Sequence, residues 1–355
     1  MLATEPGWTV LKAAGLSSEA PHPGERDHQS GKVGIMRRTS HSLHGGLLLL
    51  ALGCKPPVQM TPPPAAATAA EVALSGASVL IGAGDIADCD YPGRLATAAL
   101  VDSVLRADSV AHVHDEVFTA GDNAYPSGSA GDFASCWGPS WGDSTKLIMR
   151  NIHPAPGNHE HRSGGATPYY EYFGSRAGSP KTGYYSYDIG TWHAIVLNSE
   201  IVVNAGEFTE VERTAQEVWL KQDLGSHHQR CTVAYWHHPR FSSGWHGSDS
   251  RLGPIWRILF DGGADLILNG HDHNYERFLP QTPEGVVDSA GGMTEMIVGT
   301  GGGDLRGFST LARNSASRVQ GHFGVLKLTL GGAEWRSAFL DTSGRIYDQV
   351  GGKCH

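Results

Sequence analysis

Five short polar groups in this chain hold residue types that metal-assisted chemistry needs, and each follows an apolar run or a glycine. They are Asp85, Asp122 with Tyr125, Asn158 with His159, His237 with His238, and His271 with His273. Carboxylate, amide, phenol and imidazole donors without thiolate suit iron, zinc or manganese. Taken singly, an Asp or Asn after glycine is an ordinary turn or capping residue. Five such endings in one stretch point elsewhere, because open α/β sheets build their sites outside the carboxyl ends of their strands. Ligand counting favours two ions. A metal pair needs a bridging carboxylate and terminal donors on each ion, and these residues suffice once Asp122 serves both. Such pairs clamp the attacking and leaving oxygens of a phosphoryl displacement.

The elements that must position these groups are legible from periodicity. "ASVLIGAGD" (residues 77–85), "EVFTAGD" (116–122), "CTVAYWHH" (231–238), "ADLILNGHDH" (264–273) and "EMIVGTGGG" (295–303) read as buried strands. Alternating segments at 183–190, 192–198, 324–330 and 334–340 read as half-buried or sandwich strands. Between them, residues 95–105 predict a helix that starts after Pro92-Gly93. Val211, Ala215, Val218 and Trp219 make a second helical stripe, and Leu252, Ile255, Trp256, Leu259 and Phe260 a third; both are expected to face the core. Helices and strands interleave, so the class is α/β or α+β, with stacked sheets flanked by helices.

The 355 residues suit one large domain, and 47 glycines with 19 prolines promise many tight turns. A net charge of -9 offers no basic field for a nucleic-acid backbone, which argues against nucleic acid as a partner and leaves a small phosphate ester open. The Gly-rich "VGTGGGD" (298–304) lacks the following helix and lysine of a P-loop and reads as a tight turn. Residues 1–35 have no periodicity and read as disordered or as an over-extended start. From Met36, Arg37-Arg38 and the apolar "GLLLLALGC" (46–54) form a leader too short to span a bilayer. A Pro/Ala-rich tether (55–70) follows, and residues 71–355 form the catalytic-sized domain. Cys89, Cys136, Cys231 and Cys354 are widely spaced without a CxxC pair, which suits two disulfides in an oxidising compartment. Spacing does not rank the three pairings. Cys89 with Cys136, both in loops near the proposed site, and Cys231 with Cys354 is the expected set.

Two resemblances extend this reading. Residues 36–54 resemble a bacterial lipoprotein signal, which implies export and lipid attachment at Cys54, with an ordinary secretory signal and a secreted or periplasmic protein as the alternative. "GDIAD" (84–88), "GDNAY" (121–125), "GNHE" (157–160), "YWHHP" (235–239) and "GHDHNYER" (270–277) resemble, in order, the signature of calcineurin-like metallophosphoesterases. That family implies a four-layer αββα sandwich of two mixed β-sheets. One motif departs: Ala87 stands where most of the family has a metal-binding histidine. Purple acid phosphatases lack that histidine and use a tyrosine three residues after the bridging aspartate, the place of Tyr125, so the chain resembles that branch.

The resemblance implies one ion on Asp85, Asp122, Tyr125 and His273, and a second on Asp122, Asn158, His237 and His271. It implies Fe(III) at the phenolate site, with Zn, Fe or Mn(II) beside it. His159 is expected to meet the phosphoryl group and help protonate the leaving oxygen, as is His246 in the following loop, whereas His238 is expected behind the ligands or in the core. Glu276 and Arg277 are expected to form a structural pair. The implied function is hydrolysis of a phosphomonoester by metal-activated hydroxide attacking in line. Phosphodiester hydrolysis on the same metal pair is the alternative, and a non-catalytic metal- or ligand-binding protein the remote one.

Overall fold

The computed structural model of the chain describes Leu74 and residues 76–179, 182–227, 229 and 231–355. The segment 1–35, the leader with Cys54 and the tether lie outside the described residues. Among the described residues the strands in chain order are β1 (Ser78–Ala83), β2 (Asp115–Ala120), β3 (Ile152–Ala155), β4 (Tyr185–Ile189), β5 (Trp192–Val196), β6 (Cys231–Tyr235), β7 (Leu266–Asn269), β8 (Tyr275–Phe278), β9 (Thr294–Val298), β10 (Ser315–Val319), β11 (Gly324–Leu330), β12 (Glu334–Asp341) and β13 (Ile346–Lys353). They make two mixed sheets, ordered β13-β12-β11-β1-β2-β3 and β10-β8-β9-β7-β6-β5-β4. In the first, β1, β2 and β3 are parallel; in the second, β5, β6, β7 and β9 are parallel.

The sandwich follows from period-2 burial on both faces of the second sheet. Ala194, Val196, Val233, Tyr235, Leu266 and Leu268 join the core shared with Leu80, Val117 and Phe118 of the first sheet. The residues between them, Ile195, Leu197, Ala234, Trp236 and Ile267, pack instead with Leu220 of the helix Glu210–Ser226 and with Ile255, Trp256 and Leu259 of the helix Gly253–Asp261. On the other side, the helix Gly93–Val110 buries Ala98, Val101 and Leu105. Pro92 at its start is the position where a missing N–H and fixed φ do least harm. No described helix is long and apolar enough to cross a membrane.

The stripe expected at Val211, Ala215 and Val218 is a correction: these side chains are exposed. The helix Glu210–Ser226 is rolled so that Gln216, Leu220 and Asp223 face inward. Gln216 decides the roll, because its amide accepts from the Asn198 N–H at 2.9 Å and donates to the Asn198 carbonyl at 3.1 Å, two backbone groups otherwise buried without partners.

Both disulfides occur as expected, Cys89 with Cys136 and Cys231 with Cys354. The second joins the first residue of β6 to the segment after β13, and so ties the two sheets together across 123 residues of chain. Closing a loop of that size constrains the unfolded chain by about 4 to 5 kcal/mol in the chain-entropy model. The double variant C231S/C354S is expected to lose about 2 to 5 kcal/mol of unfolding free energy, measured by urea denaturation against the parent protein.

Candidate metal centre

Five of the parallel strands deliver donors at one rim of the two sheets. Asp85 follows β1, Asp122 follows β2, Asn158 follows β3, His237 follows β6, and His271 and His273 follow β7. Three of these residues have left-handed backbone, Asp85 at φ 58°, Asp122 at 49° and His271 at 72°. Non-glycine residues adopt that region only where the surroundings impose it, and such strain gathers at functional sites. The turns are also packed without space to spare. A Cβ on Gly157 would lie 2.3 Å from Asp122 Oδ1, and one on Gly121, itself at φ 81°, 2.6 Å from His237 Nδ1.

The side chains converge. Tyr125 Oη lies 2.9 Å from Asp85 Oδ1, 3.1 Å from Asp122 Oδ2 and 3.2 Å from His273 Nε2. His237 Nε2 lies 3.0 Å from Asn158 Oδ1, 3.1 Å from His271 Nδ1 and 3.3 Å from Asp122 Oδ2. The seven residues expected as ligands therefore form two adjoining groups with Asp122 in both, and Asp85, Asp122 and His237 meet the spacing of a metal site. Ala87 contributes no donor. Its carbonyl accepts from the Tyr125 N–H at 3.0 Å, which sets the phenol over the gap a histidine would fill.

The chemistry of this donor set fits a cation. His237 Nδ1 donates to the Ala120 carbonyl at 2.8 Å, and His273 Nδ1 to that of Asp304 at 2.6 Å, so each presents a lone pair at Nε2. Those lone pairs face carboxylate and amide oxygens, acceptors against acceptors. Burial opposes charge on His237, yet the Asp122 carboxylate pushes its pKa up to about 10. His273 is likewise pushed up to about 10 against its burial, by Asp85 and Asp304. Both shifts reflect the negative charge gathered around the two rings. Burial and the two carboxylates raise the Tyr125 phenol well above its usual range, so a strong cation is needed to make it a phenolate.

Glu160 locks the geometry, a role its place in "GNHE" did not reveal. Buried, it accepts from the N–H groups of Asn123 (2.8 Å), Ala124 (3.1 Å) and Gly157 (2.8 Å), joining the loop after β2 to the loop after β3. Burial first, then the Asp122 charge, raises its pKa to about 8.

His159 stands beside the cluster, Nδ1 donating to the Pro126 carbonyl at 2.7 Å and Nε2 3.7 Å from Asp122 Oδ2. His246 reaches the mouth, its ring 4.1 Å from that of His271 and its Nε2 accepting from Arg306 at 3.0 Å. Arg306 and Asp304 were missed, although the glycine-rich run before them was the available signal. That run is the tight turn expected, with Gly301 and Gly303 N–H groups bonded to the Gly84 and Asp85 carbonyls. His238 sits behind the ligands, bonded to Ser199 Oγ at 2.9 Å. Burial, then the neighbouring His237, holds its ring neutral, with a pKa well below the usual histidine value. The expected Glu276–Arg277 pair is a correction. Neighbours on a strand point to opposite faces; Arg277 binds Asp348 in a bidentate pair, while Glu276 accepts from Ser243 and Ser315.

A family model described as calcineurin-like phosphoesterase matches residues 79–275. The chain belongs to that family. Among curated proteins it is similar to purple acid phosphatase 15 of Arabidopsis thaliana, 27% identical over an alignment 227 residues long that covers 53% of this chain and 41% of the relative. It is also similar to purple acid phosphatase 18 of the same plant, 29% identical over 133 residues, 36% of this chain and 28% of that one. The chain thus spans less than half the length of these relatives. Among solved structures, purple acid phosphatase PPD1 from yellow lupin superposes with TM-score 0.63 at 21% identity, covering 78% of this chain and 54% of that one. GAP50, the anchor in the inner membrane complex of Plasmodium, superposes with TM-score 0.62 at 15% identity, covering 79% and 89%. The two plant relatives support the purple acid phosphatase-like branch that Ala87 and Tyr125 indicate, and the solved structures support the fold.

The lack of clearance at Gly157 gives a test that removes no donor atom but presses on Asp122 Oδ1. Gly157→Ala is expected to weaken metal retention about 10- to 100-fold, as displaced supporting groups do, with the fold intact. Metal content after dialysis against a competing chelator, beside the circular dichroism spectrum, checks it.

Proposed function

We propose that the chain is a dinuclear-metal phosphoester hydrolase of purple acid phosphatase type, acting on small phosphomonoesters. The observation that carries this is the set of acceptor atoms from Asp85, Asp122, Asn158, His237, His271 and His273 that face one another, with the Tyr125 phenol in the place of the absent histidine. Asp85, Asp122, Tyr125 and His273 would hold one ion, and Asp122, Asn158, His237 and His271 the other. The phenol suits Fe(III), and the two imidazoles with a neutral amide suit Zn, Fe or Mn(II). When bound, such a pair supplies Lewis acidity toward the phosphoryl oxygens and lowers the pKa of water to about 7.

The chain's own residues do the rest. The departing oxygen needs a proton, and His159 would give it as the imidazolium: Nδ1–H is held by the Pro126 carbonyl, and a second proton on Nε2 faces the cluster. His246 accepts from Arg306 at Nε2, and burial lowers its pKa, so its remaining Nδ1–H is a hydrogen-bond donor to substrate at the mouth rather than a second acid. Beside them a cleft of about 490 Å³, lined by His238, His246, Ser248, Asp249, Arg251 and His271, gives room for a small leaving group. The two disulfides support export, with the leader at 36–54 directing it and Cys54 as the lipid-bearing residue of a membrane-attached or periplasmic protein.

Two outcomes test this. The rate kcat/KM for an aryl phosphomonoester is expected to exceed that for the matching diester, to vanish on chelation and to return with metal. A diester preference would keep the ligands and change the substrate, and two bound ions without activity on either would favour a binding protein. His159→Ala is expected to keep both ions, counted by mass spectrometry, while kcat falls about 10²- to 10⁴-fold.

A further inference from the structure

A second group of donors lies at the opposite, amino-terminal end of the same parallel strands. Asp188 of β4 and His193 of β5 are direct cross-strand partners. His227, the C-cap of the helix Glu210–Ser226, stacks its ring on His193 with centroids 3.9 Å apart. Ligand atoms of Asp188, His193 and His227 all lie within 4.8 Å of one another. His193 pairs with Thr232 across β5 and β6, five residues before His237, which sets this group roughly 16 Å from the proposed centre at about 3.3 Å per residue.

The surroundings are built as a ligating histidine needs. Buried Asp223, one turn before His227, accepts from His193 Nε2 at 2.6 Å and from Ser186 Oγ at 2.7 Å. A carboxylate on the far nitrogen fixes a ring for metal binding. The near nitrogen, Nδ1, then faces Asp188 Oδ1 at 3.2 Å. His227 Nδ1 is bound to the Asp223 carbonyl at 2.8 Å, which leaves its Nε2 free of hydrogen. Two carboxylates against one buried imidazole leave net negative charge even when that ring is protonated, and the carboxyl end of a long helix adds to it. Burial works against a charged His193, yet the bonds to Asp223 and Asp188 outweigh it and raise its pKa. The group opens on a polar cleft of about 260 Å³ lined by His193, His227, Gln229 and Thr232 among others.

We propose that Asp188, His193 and His227 form an auxiliary site for one divalent transition-metal ion of the zinc type, with Asp223 as the orienting carboxylate. Nitrogen and carboxylate donors of this kind suit zinc, and water completes the shell. On binding, His193 gives its Nδ1 proton to solvent and its lone pair to the ion. The ion clips edge strand β4 and β5 to the end of the helix, a stabilising role apart from catalysis.

The experiment counts zinc per chain by plasma mass spectrometry after stripping, reloading and gel filtration of the full protein. Asp122→Ala, which removes the donor shared by both ions of the proposed centre, is expected to keep one zinc that the double variant D122A/H227A loses. H227A alone is expected to bind one zinc fewer than the parent and to show a smaller rise of Tm with zinc. The side chain of His227 is a third exposed, so H227A retains the fold, which circular dichroism verifies. Equal zinc counts in each pair, with and without His227, would overturn the site.

Discussion

Buried acceptors that face one another without enough hydrogens between them are the constraint from which the rest of this molecule is arranged. Two carboxylates, an amide oxygen and three imidazole nitrogens end within hydrogen-bond range at the rim of the sandwich. Isolated buried charge costs several kcal/mol, and left-handed backbone at Asp85, Asp122 and His271 adds about 1 to 3 kcal/mol each. Only positive charge offsets both. The glycines at 121 and 157, the Glu160 carboxylate and the Asp304 carbonyl then have one common purpose: they hold groups that repel one another.

The exchange of histidine for tyrosine follows the same logic. Ala87 contributes only backbone, and through it fixes Tyr125. A neutral imidazole would coordinate any borderline ion as it stands. The phenol, kept protonated by burial and by Asp85 and Asp122, gives up its proton only to an ion of high charge. Under the proposed function, the ligand change would therefore select the cation rather than merely replace a donor.

What was legible in the sequence was what local pattern encodes. The donors other than Asn158 follow apolar runs, so the strands that carry them and the rim they share could be read together. Both disulfides and the stacked-sheet class were likewise within reach. The missing parts depend on distant partners. Strand β3 is only four residues and contains Pro154, β10 is polar along its length, and neither has the period of a buried strand. The stripe at Val211 and Val218 has helical spacing, but the buried bonds of Gln216 to Asn198 outweigh it and roll the helix away. Adjacent Glu276 and Arg277 look like a pair in one dimension; the pleat separates them.

The fold itself does not decide the chemistry. A phosphatase and a membrane-complex anchor superpose on this chain almost equally well, so the sandwich is a frame that accepts either role. What separates them must lie in side chains at the strand ends. Here the frame has spent backbone strain, glycine clearance and buried charge on bringing those side chains together, and a binding scaffold has no need of such strain. Nor does an anchor need a histidine whose far nitrogen is tied back so that the near one faces the cluster, as His159 is. Cation binding alone would explain the acceptors; under the proposed function, His159 beside them would add the proton that bond cleavage needs.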